Sequence, residues 1–250
     1  LLIIIFSFTF SAILKVPQEY KTIQEAINKS SSGDIIKISP GKYSPSTNKE
    51  KFPIQLKHKS NITIIGSQID NTIIDAENSN RVMYLNYSKN INFENLTIKG
   101  GYLNSYGIKN HGGGLRLTNS NLSFKNIIIS DNNAWVGGGI SLNNSIAEFK
   151  NNVILKNNRG LKRGAATAMF GNSKLIGEFI NVKNKVGIFD NMKHRENEIA
   201  LVTKSRGRVN YKKYNSLFNQ MGLKVGTDLF DKDTIKTGKD GFIIYIYLDD

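Results

Sequence analysis

The tripeptide Phe-x-Asn occurs at Phe93-Glu94-Asn95, Phe124-Lys125-Asn126, Phe149-Lys150-Asn151 and Phe179-Ile180-Asn181. Each copy follows a short strand-like segment, such as Asn90-Ile91-Asn92 or Asn121-Leu122-Ser123. The earlier stretch Asn61-Ile62-Thr63-Ile64-Ile65-Gly66 alternates in the same way, with Ile64 in the Phe place. A second series keeps step: Gly112-Gly113-Gly114-Leu115-Arg116-Leu117 stands 25 positions before Gly137-Gly138-Gly139-Ile140-Ser141-Leu142, and Gly164-Ala165-Ala166-Thr167-Ala168-Met169 is a degraded third copy. No such unit can bury its apolar side chains alone. Stacked units, each strand paired with its counterpart in the next, bury a continuous core. The repeat therefore predicts a solenoid of short strands.

Side chains alternate along a strand, so Leu122 and Phe124 are expected to point inward, and Asn126 with them. A buried amide needs hydrogen-bond partners. The Asn of the next coil, about 4.8 Å away, can supply them. Asn95, Asn126, Asn151 and Asn181 are thus expected to form a structural ladder inside a turn.

Composition fits this architecture. The chain holds 33 Ile, which favours strands, and 31 Asn, which favours turns. Its 250 residues allow one or two domains with a real core. The absence of Cys removes disulfides, thiolate metal sites and cysteine catalysis together. The formal charge of +14 comes from 34 Lys and Arg against 20 Asp and Glu. The lysines are scattered, and no recognition helix or aromatic platform accompanies them, so no nucleic-acid partner is expected. An acidic polysaccharide or cell-surface glycan accounts for the charge at least as well.

Leu1 to Ile13 read LLIIIFSFTFSAI, an uncharged apolar run too short for a membrane span. The run has the length of the apolar region of a secretory signal, and Thr9 and Ser11 have the spacing wanted before a cleavage point. Residues 1–13 therefore read as a truncated signal peptide, and the protein as exported. No transmembrane span is expected. Next, Tyr20 to Lys29 read as a short amphipathic helix, with Ile23, Ala26 and Ile27 on one face. Thr22 and Glu25 form a capping box. Such a helix can plug the open end of a stack, which otherwise exposes apolar core and strand edges.

Val16-Pro17-x-x-Tyr20-x-Thr22-Ile23-Gln24-x-Ala26-Ile27, then Gly33-Asp34-x-Ile36 and Pro40-Gly41-x-Tyr43, resembles the N-terminal cap and first coil of right-handed parallel β-helix proteins with the pectin-lyase-like fold. The GGGI and FKNN units also resemble repeats of polymorphic outer-membrane proteins and other surface β-helix proteins. The resemblance implies an all-β chain: a right-handed parallel β-helix over 14–185 with a short N-terminal capping helix. After a linker at 186–197, residues 198–250 read as short strands between Gly and Asp turns, a small antiparallel β-domain. Asp233-x-Ile235-x-Thr237-Gly238 resembles the FecR family, although Lys204-Ser205-Arg206 interrupt its usual opening. The family pattern continues beyond Asp250, so this domain is expected to be incomplete. FecR-like domains are exported, non-catalytic modules.

The pectin-lyase-like family includes lyases and hydrolases of uronates. Its hydrolases carry N-T-D, D-D, G-H-G and R-x-K signatures, whereas here His111 stands in Asn110-His111-Gly112 with no R-x-K following. Hydrolysis needs two facing carboxylates, and elimination needs a base, usually beside calcium held by clustered carboxylates. Asp70, Asp75 and Asp131 read as turn residues. His58, His111 and His194 lack metal-ligand spacing. No catalytic, cofactor or metal residues are therefore assigned, and no cofactor is expected. The glycan-contact candidates are Trp135, which could stack on a sugar ring, and Arg116, Arg159, Arg163 and His111, near which a uronate carboxylate could bind. The sequence favours an exported surface or envelope protein that binds glycans without catalysis. Its alternatives are a polysaccharide lyase or glycoside hydrolase, and envelope signalling through the FecR-like domain.

Overall fold

The computed structural model describes residues 11–103 and 110–186, and beyond them the strand segments 198–206, 209–212, 220–221, 228–230, 234–237 and 242–247. Most of the expected signal segment and linker, His194, and the Asp233 and Gly238 ends of the FecR-like motif lie outside these residues.

The solenoid is a parallel β-helix. On its first face, strands Ile13–Val16, Ile35–Ile38 and Thr63–Gly66 are followed by the first halves of Ile91–Lys99, Asn121–Ser130 and Ile146–Lys156, and then by Lys174–Gly177. The second halves of the three long strands form a second face with Gly41–Tyr43, Thr72–Asp75 and Ile180–Val182. A third face holds Asn133–Val136, Arg159–Arg163 and Lys185–Val186. The fourth holds Ile54–Lys57, Met83–Asn86, Leu115–Thr118, Ile140–Asn143 and Thr167–Phe170. Every pairing among these strands is parallel, and parallel crossovers of this kind take the right hand.

Register explains the repeat. Leu14, Ile36, Ile64, Phe93, Phe124 and Phe149 stack in line on the first face, all buried. The Phe93, Phe124 and Phe149 rings follow one another at 5.8 and 5.7 Å. Phe179 breaks the phase. Gly177 takes the place opposite Phe149, and the Phe179 ring meets Phe149 edge-on at 5.3 Å.

Corners are set by residues in the left-handed region. Between the first two faces stand Asn95, Asn126 and Asn152, with φ of 55, 52 and 45°. Asn tolerates this conformation because its short amide bonds locally. Between the third and fourth faces Gly112, Gly137 and Gly164 take φ of 73, 67 and 65°. Two places later a Cβ on Gly139 would lie 2.5 Å from the Ala166 carbonyl of the next coil, so that position must also stay bare.

The expected asparagine ladder sits elsewhere. Asn126 does donate to Asn95 Oδ1 at 2.9 Å, but both amides are only half-buried, at the bend itself. The coil carrying Asn151 has one extra residue, and Asn151 pairs with Lys125 and is exposed. Asn181 lies opposite Leu155 in the last described coil, where it accepts from Asn184. The buried ladder is Asn132, Asn158 and Asn184, at the corner between the second and third faces. Asn132 Nδ2 donates to Asn158 Oδ1 at 3.0 Å, and Asn158 Nδ2 to Asn184 Oδ1 at 2.8 Å. Each amide also donates to a carbonyl of the preceding coil: Ile98, Ile129 and Leu155 in turn.

The helix spans Ile23–Lys29, with Thr22 as N-cap and both capping-box bonds formed. Ile23, Ala26 and Ile27 are buried against the first coil. Glu50 accepts from the backbone N–H groups of Ile23 and Gln24 at 2.7 and 3.1 Å, satisfying two donors the helix leaves open. No helix among the described residues is long and apolar enough to cross a membrane. In the C-terminal region Glu198–Arg206 pairs antiparallel with Asp228–Phe230 and Phe242–Tyr247. Val209–Lys212 pairs antiparallel with Gln220–Met221 and Thr234–Thr237.

Candidate functional site

On the outer side of the fourth face, Tyr84 and Arg116 are register partners in adjacent coils. The Arg116 guanidinium lies 5.8 Å from the Tyr84 ring centroid. Arg81, just before the strand, approaches the same ring at 5.9 Å. Its buried guanidinium donates to the carbonyls of His111 and Gly112 at 2.7 Å each, tying the Arg81 loop to the glycine corner.

His111 bridges Val136, which pairs in turn with Arg163. The three occupy one line at the end of the third face, just before the left-handed glycines. From there the His111 ring stacks on Phe170 at 4.9 Å, and Arg163 lies 5.6 Å from the same ring. The register thus draws His111, Arg116 and Arg163 into one cluster with Arg81, Tyr84 and Phe170.

Electrostatics follow from that convergence. Burial, then Arg116, Arg163 and Arg81, hold the His111 imidazole down to about 4, so it is neutral at physiological pH. Burial lowers Arg81 to about 10, which leaves it charged at neutral pH. Among the described residues no carboxylate forms an ion pair with Arg116 or Arg163. The surface joins concentrated positive charge to two aromatic rings. Chemically it can hold an anion that also offers an apolar face.

Trp135 and Arg159 lie on the third face. Lys162 Nζ lies 5.8 Å from the Trp135 ring, and Arg159 pairs with Asn133 and Lys185. Sequence reasoning missed Arg81, Tyr84 and Phe170. Phe170 stood in reach, since it closes the strand that follows the degraded Gly164 unit. Among the described residues no group of His, Asp or Glu could hold a metal ion.

A family model described as "Protein of unknown function (DUF1565)" matches residues 15–64, the cap and first coils. No curated protein matches the chain. Among solved structures, the chain is similar to a pectin methylesterase mutant bound to a hexasaccharide, with 14% identity and a TM-score of 0.36 over 68% of this chain and 67% of that one. It is also similar to pectin methylesterase PemA from Erwinia chrysanthemi, with 12% identity and a TM-score of 0.33 over 62% of this chain and 56% of that one.

Proposed function

We propose that this is an exported, non-catalytic β-helix protein that binds acidic glycans through the cluster of Arg116, Arg163 and His111. One observation carries the reading: two arginines without carboxylate partners among the described residues converge with a neutral imidazole beside two aromatic rings. Guanidinium groups bind carboxylates strongly, and the Tyr84 and Phe170 rings suit the apolar face of a pyranose. The apolar run at 1–13 supports export to the cell surface, envelope or medium. The FecR-like strand order supports an accessory binding or anchoring module at 198–250.

The test is titration of the full chain with oligogalacturonate and with a neutral oligosaccharide of equal length. Oligogalacturonate binds, more weakly as salt rises. Arg116→Gln with Arg163→Gln weakens it by about tenfold or more. Equal affinity for the neutral chain, or no effect of the double substitution, removes the reading. Depolymerisation of polygalacturonate would establish the catalytic alternative in its place.

A further inference from the structure

The strand Ile54–Lys57 ends the fourth face on the helix side of the solenoid, with one edge on Met83–Asn86 and the other toward the capping helix. In a parallel pair, alternate residues turn their backbone groups to opposite edges. The N–H groups of Ile54 and His58 donate to the Val82 and Asn86 carbonyls at 2.9 and 3.0 Å, so Gln55 and Lys57 turn theirs the other way. At Gln55 a side chain stands in for the missing strand. Its N–H donates to Gln24 Oε1 at 2.7 Å, and its carbonyl accepts from Gln24 Nε2 at 3.1 Å. At Lys57 nothing stands in: the outward N–H and carbonyl have no partner among the described residues.

An open pocket of about 370 Å³ takes in this unpaired residue, between the helix and the strand. Ile27, Phe52 and Pro53 give it apolar walls, and Lys51, Lys57 and Lys59 bring three ammonium groups. No carboxylate lines it, and none of the three lysines forms an ion pair among the described residues. Lys59 is held in place, since its Nζ donates to the Ser30 carbonyl at 2.7 Å, just past the helix end. Burial lowers its pKa and only Asp34 acts against that, so a further negative charge is favoured there.

We infer that this cleft docks a short, extended, acidic peptide segment of a partner protein, which pairs with the strand edge at Lys57 and sets its carboxylates on Lys51, Lys57 and Lys59. Three observations meet in one place. An open strand edge is where an extended segment adds, through its own backbone. The uncompensated lysines select acidic side chains. The apolar walls and the free backbone groups are of no use to a lone anion, which distinguishes a peptide from a small ion. A second copy of the chain is a poor occupant, because each copy carries a formal charge of +14 and the two repel. The site shares no residue with the arginine cluster and does not depend on its reading.

The test titrates the full chain with an end-blocked Glu-Val-Glu-Val-Glu peptide, following peptide fluorescence anisotropy and the Lys57 backbone amide by NMR. The peptide is expected to bind and to shift that amide. The matching Gln-Val-Gln-Val-Gln peptide, and the acidic peptide with its backbone N–H groups methylated, should each bind about tenfold or more weakly. Lys51→Gln with Lys57→Gln should weaken binding by a similar factor at unchanged Tm, because both side chains are exposed. Arg116→Gln with Arg163→Gln should leave it unchanged. The inference is overturned if the acidic peptide does not bind, or if the Gln peptide or the methylated peptide binds equally well. It is overturned too if inorganic phosphate displaces the peptide at equal concentration, which would make the cleft a small-anion site. Loss of binding in the arginine variant would place the peptide on the other cluster and overturn the assignment to this cleft.

Discussion

Two asparagine corners of the solenoid use the same residue in opposite ways. At Asn95, Asn126 and Asn152 the residue itself takes the left-handed conformation and turns the chain, with its amide half-exposed or exposed. At the next corner the turn is made by Asp131, Asn157 and Lys183, and the following Asn132, Asn158 and Asn184 are buried. In the first case Asn is chosen for its backbone, which Gly could replace. In the second it is chosen for its amide, which must satisfy backbone groups that water cannot reach. A recurring Asn therefore says that a corner is present without saying which of the two jobs it does.

The largest effect expected from this difference is at the centre of the buried ladder. Asn158 Oδ1 accepts from the backbone and side chain of Asn132, and its Nδ2 donates to Ile129 and Asn184. Asn158→Ala strands several of these groups out of water and is expected to cost about 3–5 kcal/mol in chemical denaturation. A loss below about 1 kcal/mol would mean that water enters the corner, and the contrast between the two would fail.

Acid separates the buried ladder from the arginine face. Amides do not titrate in this range, so the cost of Asn158→Ala should be the same at pH 7 and at pH 4. His111 behaves otherwise. Its folded pKa of about 4 lies below its unfolded value, so the unfolded chain takes up the proton first. Stability present above about 6.5 is lost as pH falls toward 4. Substituting Arg116 and Arg163 by Gln should raise the His111 pKa, read by NMR, and shrink that loss. An unmoved pKa would show that the arginines do not face the ring.

Much of the fold was readable because it is periodic. The glycine series, the capping box and the in-line Ile64, Phe93, Phe124 and Phe149 all follow from side chains that must recur at the same place in each coil. The ladder was misplaced because strict alternation carried Asn126 inward, whereas its positive φ bends the strand there. The true series, Asn132, Asn158 and Asn184, is spaced evenly by 26 and was open to the same search for repeats. The arginine cluster was only half visible. Its members come from coils of unequal length, and which side chains meet depends on irregularities such as the shift between Ala134 and Val136. Spacing alone does not encode that register.

The two weakest substitutions test the first corner itself. Asn126→Gly keeps the left-handed turn at no steric cost and loses one half-buried amide bond to Asn95, so it should cost less than about 1 kcal/mol. Asn151→Ala should lie within about 0.5 kcal/mol of zero, because Asn151 is exposed and the neighbouring Asn152 makes the turn. The pair is informative because both residues are the Asn of a Phe-x-Asn unit, and the repeat alone would make them equal. If Asn151→Ala proved as costly as Asn126→Gly or more so, the extra residue in that coil would lie elsewhere. Asn151, in place of Asn152, would then be the corner residue beneath Asn126.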